Sequence, residues 1–139
     1  MVHTLSGALA HDGGMLVLYL TVNAVLYVAF AIWCTLAPRT TANWLGLATT
    51  GAGGESEYLA VYGGLQAGLG VGYSLSLWMP ETRPTALLWS VALYGGLVAW
   101  RSLAVYRLGF AALGNARFTL GLEVVLLLAA IVLLWRRGV

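Results

Sequence analysis

The sequence has no lysine, a single cysteine and few charges of either sign. Seven arginines face five acidic residues, and charged residues make up only 9% of the 139 positions. An average soluble domain carries about 25% charged residues, so the composition excludes an ordinary soluble domain. The arginines are scattered along the chain and form no basic face, which leaves nucleic-acid binding without support.

Signals for catalysis are equally scarce. Cys34 stands alone, which excludes an internal disulfide and a CxxC redox pair, and we interpret it as a packing residue. His3 and His11 lie in the N-terminal tail at a spacing that matches no standard metal site. Phosphate-binding, nucleophile-elbow and HExxH motifs are also missing. We therefore predict no cofactor and no metal, and the sequence leans against an enzyme without excluding one.

Apolar residues dominate what is present. Hydrophobic residues form 60% of the chain, against about 45 to 50% in soluble domains. They are grouped in four continuous runs of the length that a hydrocarbon core of roughly 30 Å requires. Continuous runs indicate helices, because lipid offers no partner to open backbone groups. We predict one domain, residues 1–139, folded as an all-α bundle of four transmembrane helices at about residues 15–36, 58–79, 85–106 and 118–135.

The tryptophans support these limits, because indole rings favour the level of the lipid headgroups. Five of the six lie near predicted span ends, and the sixth, Trp44, lies in the first loop. There the segment ANWLGLA fits either a short interfacial helix or a plain turn. The first span is predicted to remain as a helix, since no Lys or Arg precedes it as in a signal peptide.

The orientation depends on the arginines in the loops, because cytoplasmic loops usually carry an excess of them. The count is tied at three on each side. The terminal WRRGV is typical of a cytoplasmic end, so we predict that both termini are cytoplasmic. The two sets compared are Arg83, Arg136 and Arg137 against Arg39, Arg107 and Arg117.

Four alternating spans place the first and third loops on the same side of the membrane. Glu57 at the start of the second span, Arg101 near the end of the third and Glu123 near the start of the fourth then share that side. Arg101 alone could snorkel to the headgroups, whereas the shorter Glu123 needs a partner or a proton. We predict an Arg101–Glu123 pair, and structural pairing, binding and proton handling remain open roles for it. Glu55 fits the simpler role of an acid in the first turn of a helix.

Polar and aromatic residues recur on one face of two further spans. In the first span they form a stripe at helical spacing, and Ser90, Tyr94, Leu97 and Arg101 form another in the third. Polar groups in lipid cost several kcal/mol unless they are paired, so both stripes should face a polar bundle interior. The stripe of the first span comprises Tyr19, Asn23, Tyr27, Phe30 and Cys34.

Glycines recur every four residues in the second span. Gly64, Gly68 and Gly72 form a doubled GxxxG pattern, a glycine zipper that permits close approach of another helix. We predict that these three glycines pack against a neighbouring helix, and that the opposite face, with Tyr62, Gln66 and Tyr73, forms hydrogen bonds.

Three blocks, SEYLAVYGGLQAGLG, LYGGLVAWRSL and LGLEVVLLL, resemble the bacterial domain of unknown function 4345 family of small integral membrane proteins. The resemblance covers roughly residues 55–134 and implies a bacterial cytoplasmic membrane, but no established activity. Tyr58 departs from the family, which is associated with arginine there. The matching positions are Glu57, Tyr62, Gly63, Gly64, Gly68, Arg101 and Glu123.

Two classes of function remain open. One is a binding protein that accepts a membrane lipid, another amphiphilic small molecule or a protein partner in a polar cavity near Arg101 and Glu123. The other is a small transporter or proton-linked membrane enzyme in which Glu123 changes protonation. Four short helices enclose little space, so a homo-oligomer is a further expectation. The predicted ligand-binding residues are Glu57, Tyr62, Gln66, Tyr94, Arg101 and Glu123.

Overall fold

The computed structural model describes the backbone of residues 2–137 and the side chains of residues 13–137, so the interpretation of His3 and His11 lies outside it. Within these limits the chain is helical and contains no strand. Six α-helices are joined by a π-helical segment, Leu59–Leu65, and two short 3-10 turns. The α-helices are α1 (Val2–Leu36), α2 (Pro38–Trp44), α3 (Gly51–Tyr58), α4 (Gln66–Trp78), α5 (Arg83–Leu108) and α6 (Ala116–Arg136).

Three helical segments are long and apolar enough to cross a membrane. They contain 24, 29 and 21 residues, and a crossing requires about 20. Large apolar side chains, among them Trp33, Trp89 and Trp135, lie exposed on their outer surface, where a soluble monomer would rarely show so extensive an apolar area. The three segments are Gly13–Leu36, Pro80–Leu108 and Ala116–Arg136.

The second apolar run forms an interrupted helix. It begins at Gly51, seven residues before the predicted start, and continues through α3, the π-helical segment and α4 to Trp78. We refer to residues 51–78 as the composite helix. The π-helical segment coincides with LAVYGGL. Such segments are rare in proteins, and those that do occur often lie at functional sites.

The helices pack as two pairs. The composite helix lies along α1, and α5 lies antiparallel along α6. The main core joins the pairs through α1, which presents Leu16, Leu20 and Ala24 to residues of α5 and α6. By contrast, α4 and α5 meet only over a short stretch. The bundle is therefore closed around α1 and open between α4 and α5.

The predicted packing of the glycine zipper is wrong for this chain. A Cβ added to Gly68 or Gly72 would meet nothing within 4 Å, and at Gly64 it would reach only a backbone oxygen of the same helix, 4.0 Å away. The close approach to α1 occurs instead at Gly63 and Gly70.

At Gly70 a Cβ would lie 2.6 Å from a methyl group of Val28, and at Gly63 it would lie 2.9 Å from the hydroxyl of Thr35. Gly63 and Gly70 are seven residues apart and thus share a face, one that the regular GxxxG spacing does not mark. The predicted ridge lies exposed beside it.

The first and third loops lie at the same end of the bundle, as predicted. The side chain of Asn115, just before α6, donates a hydrogen bond to the carbonyl of Trp44 over 2.9 Å. Trp44 ends α2, a short helix that begins with Pro38 at its first position, where the missing N–H is tolerated. Of the two alternatives for this loop, a short helix is therefore correct, although it begins four residues before ANWLGLA does.

Candidate functional site

The ion pair between α5 and α6 is present. Arg101 Nε donates to one carboxylate oxygen of Glu123 over 2.7 Å, and its Nη2 donates to the other over 3.1 Å. The short connection between antiparallel α5 and α6 brings the end of one helix beside the start of the other. Gly109 and Gly114 turn this connection at φ values of 83° and 50°, which glycine adopts without strain. The predicted contact between the two side chains is confirmed.

The two members of the pair are unequally buried. The Glu123 side chain is 6% exposed and that of Arg101 is 27% exposed, so the guanidinium covers the carboxylate on its outer side. Its two hydrogen bonds use two of the five N–H donors that an arginine has. Among the described residues no protein group accepts from the remaining three, which lie at the exposed edge. A planar fork of this kind binds both carboxylate oxygens at once, which lysine cannot do.

A chain of hydrogen bonds joins three helices in the middle of the bundle. The Tyr94 hydroxyl of α5 donates to the side-chain oxygen of Asn23, and the Asn23 amide donates to the carbonyl of Tyr19 over 2.8 Å. Tyr19 in turn donates to the carbonyl of Leu126 in α6 over 3.2 Å. The expectation of a polar interior is confirmed for these residues, and Tyr94 contributes to packing of the bundle.

A second polar contact joins α4 to α5. The Ser90 hydroxyl donates to the carbonyl of Ala86 over 2.8 Å, and it has only one proton. The hydroxyl of Tyr73, 2.9 Å away, is therefore the donor to Ser90. Tyr73 also stacks on Tyr27 with ring centroids 5.7 Å apart. This contact fixes the inner edge of the opening between α4 and α5.

A third polar cluster was missed from the sequence. The Tyr58 hydroxyl lies 2.7 Å from the hydroxyl of Thr41 and 3.4 Å from the sulfur of Cys34. The Thr41 hydroxyl donates its own hydrogen bond to the carbonyls of Ala37 and Pro38. It therefore accepts from Tyr58, which is the donor in the contact between them. Tyr58 occupies the position at which the family resemblance implied arginine, and that departure was the only signal in the sequence.

The six predicted ligand-binding residues are not gathered at one place. Arg101 and Glu123 are in contact, whereas Glu57 is exposed and Gln66 is half-buried on the composite helix. Tyr62 stacks on Tyr58, with ring centroids 4.7 Å apart, in the cluster with Cys34. The predicted ligand-binding residues of the composite helix thus lie beside α1 and the first loop. The opening between α4 and α5 separates them from Arg101 and Glu123.

Two surface grooves accompany this arrangement, with volumes of about 520 and 550 Å³. The first lies between α4 and α5 and has almost entirely apolar walls. The second lies at the first loop beside Arg39 and Glu55, whose charged atoms are 3.8 Å apart. Neither groove is lined by Arg101 or Glu123. The carboxylate of Glu123 is therefore covered by a guanidinium, and neither groove is the polar cavity expected near it.

Comparison with protein-family models, curated proteins and solved structures finds no match for this chain.

Proposed function

We propose that the chain is a four-span protein of the bacterial cytoplasmic membrane, with both termini in the cytoplasm, in the domain of unknown function 4345 family. The composite helix is the fourth crossing. Its segments of 8, 7 and 13 residues reach about 42 Å together at 1.5 Å per residue, which is longer than a hydrocarbon core of about 30 Å. Its packing along α1 supports this arrangement.

The proposed activity is binding of a lipid-like amphiphile at Arg101. The observation that carries this proposal is the set of N–H donors of Arg101 that Glu123 leaves unpaired. One edge of the guanidinium binds Glu123, and the other edge is exposed beside an apolar surface. A polar headgroup that accepts hydrogen bonds would satisfy the exposed donors, and its chains would remain in the bilayer. Because Glu123 already balances the charge, the pair favours a zwitterionic or neutral headgroup over a small anion.

A proton-linked activity is the second candidate, favoured by the burial of Glu123. Arg101 is the counter-charge of this nearly buried carboxylate, so a substrate that engaged Arg101 would remove that counter-charge from Glu123. In this case Glu123→Gln should abolish proton flux in proteoliposomes, and Glu57→Gln, at an exposed position, should not. Equal flux in both variants and in the parent would contradict the second candidate.

Native mass spectrometry of the full chain in mild detergent tests the first candidate and reports the copy number as well. The parent should retain an amphiphile, and Arg101→Met should lose most of it. Arg107→Gln is a matched control, since Arg107 is exposed at the end of the same helix. Equal ligand retention by Arg101→Met and the control would refute binding at Arg101.

A further inference from the structure

The groove between α4 and α5 is a second candidate site, separate from the ion pair. It opens sideways on the apolar outer surface, so the surrounding bilayer has access to it. Its volume is about 520 Å³, and the walls include Trp89, which is largely exposed. The other lining residues that matter here are Leu65, Leu69, Gly72, Ala86 and Leu93.

One end of this groove carries a fixed positive charge. Ser76 and Thr85 line that end, and Arg83 Nε donates to the Ser76 carbonyl over 3.1 Å. Arg83 Nη2 also donates to the carbonyl of Leu77 over 2.9 Å. These bonds hold the guanidinium against the last turn of α4, where the helix dipole offsets only about half of a unit charge. Glu81 is exposed in the preceding turn, and among the described residues it forms no ion pair with Arg83.

The dimensions favour a lipid chain over a protein helix. The groove extends along the composite helix for twelve residues, from Leu65 to Ser76. A helix of that length, about 18 Å long and about 10 Å across, would occupy roughly 1,400 Å³, so most of it would lie outside a groove of about 520 Å³. An extended hydrocarbon chain is much narrower than a helix.

We propose that the groove holds an acyl chain of an anionic bilayer phospholipid, with the phosphate of its headgroup on Arg83. The apolar walls replace the lipid neighbours of the chain, and the remaining N–H donors of Arg83 bind phosphate oxygens. The hydroxyls of Tyr73 and Ser76 are already bonded within the protein, so they leave the walls effectively apolar. This site lies at the opposite end of the bundle from Arg101 and does not depend on the function proposed there.

The test is a native mass spectrometry titration of the full chain with phosphatidylglycerol and with phosphatidylcholine of identical chains. The phosphates of both lipids accept hydrogen bonds from Arg83, but the choline cation of phosphatidylcholine offsets the attraction, so the parent should prefer phosphatidylglycerol by about tenfold. Arg83→Gln should remove the preference. Gly72→Leu should reduce binding of both lipids, because its side chain fills the groove while its Cβ clashes with nothing.

Gly68→Leu is the matched control, one turn away on the same helix and equally free of contacts. If Gly72→Leu and Gly68→Leu bound both lipids like the parent, the groove would not be the site. A parent without preference between the two lipids would overturn the role of Arg83. A change of copy number in Gly72→Leu alone would show that a second protein copy occupies the groove, and would also overturn the proposal.

Discussion

Arg101 covers a carboxylate that the bundle has almost completely removed from solvent. Loss of one partner should therefore leave Glu123 or Arg101 without a counter-charge, at a cost of up to about 3 kcal/mol because the guanidinium still reaches solvent. We expect Arg101→Met and Glu123→Gln each to lower the unfolding temperature in detergent. The double variant should lose less than the two single losses combined. Cys34 is the only cysteine and is buried, so a thiol-reactive dye measures unfolding directly.

The corresponding cycle with Arg39→Met and Glu55→Gln is a control on the same molecule. That pair is 3.8 Å apart and the Arg39 side chain is 83% exposed, so its coupling should be within about 0.5 kcal/mol. Coupling of Arg101 to Glu123 that was no larger than this would show that the pair does not act as a unit.

Gly70 and Gly68 differ in what an added methyl group would meet. Gly70→Ala should destabilise the bundle by about 1 to 3 kcal/mol, because the methyl group would overlap Val28 and lie 3.1 Å from its backbone nitrogen. Gly68→Ala should be neutral or slightly stabilising, because alanine favours a helix by up to about 1 kcal/mol over glycine. Dye-detected melting of the two variants compares them directly. If Gly68→Ala destabilised the bundle more than Gly70→Ala, the GxxxG ridge would be the packing surface.

These residues show which contacts the sequence could predict. The Arg101–Glu123 contact follows from helix order and from the cost of a buried carboxylate, both of which are visible without coordinates. The sequence did not show whether Gly63 and Gly70 or Gly64 and Gly68 would pack against α1. That packing depends on how the composite helix is rotated against α1, and the π-helical segment changes that rotation.

The composite helix contains the least predictable feature of the fold. The sequence LAVYGGL suits an α-helix as well as a π-helix, so the apolar pattern predicted the run but not its interruption. Because the π-helical segment interrupts the helix, the hydroxyl of Tyr58 can contact Thr41 while Gly70 still packs against Val28. A π-helical segment contains an extra residue relative to an α-helix with the same flanking contacts, and this property can be tested by deletion.

Deletion of Val61, an exposed residue of the π-helical segment, should let this segment close as an α-helix. Both flanking contacts should persist, so the unfolding temperature should stay near that of the parent. Deletion of Ala67, an exposed residue of regular α4, should instead rotate one flank by about 100° against the other and lower the unfolding temperature strongly. Circular dichroism and dye-detected melting measure the two effects. Similar destabilisation by both deletions would mean that the π-helical segment does not absorb an extra residue.

The whole bundle combines a closed polar interior with an open side. Every buried side-chain nitrogen or oxygen in the described part has a hydrogen-bond partner, so the interior is a satisfied network and offers no free polar group to a ligand. The sequence predicted this polar interior from its stripes. It could not predict the opening between α4 and α5, because apolar residues that face a neighbouring helix and those that face lipid look alike in a membrane protein.

The number of crossings is the question on which both proposed sites depend. We expect single cysteines at Ala48 and Ala112, introduced with Cys34→Ala, to react with a membrane-impermeant maleimide from outside intact cells. A cysteine at Glu81 should react only after permeabilisation, with both termini on its side. The reverse labelling would keep four crossings and exchange the two sides. Labelling of Ala48→Cys and Glu81→Cys from the same side would show that the composite helix does not cross the membrane, and would contradict the four-span bundle.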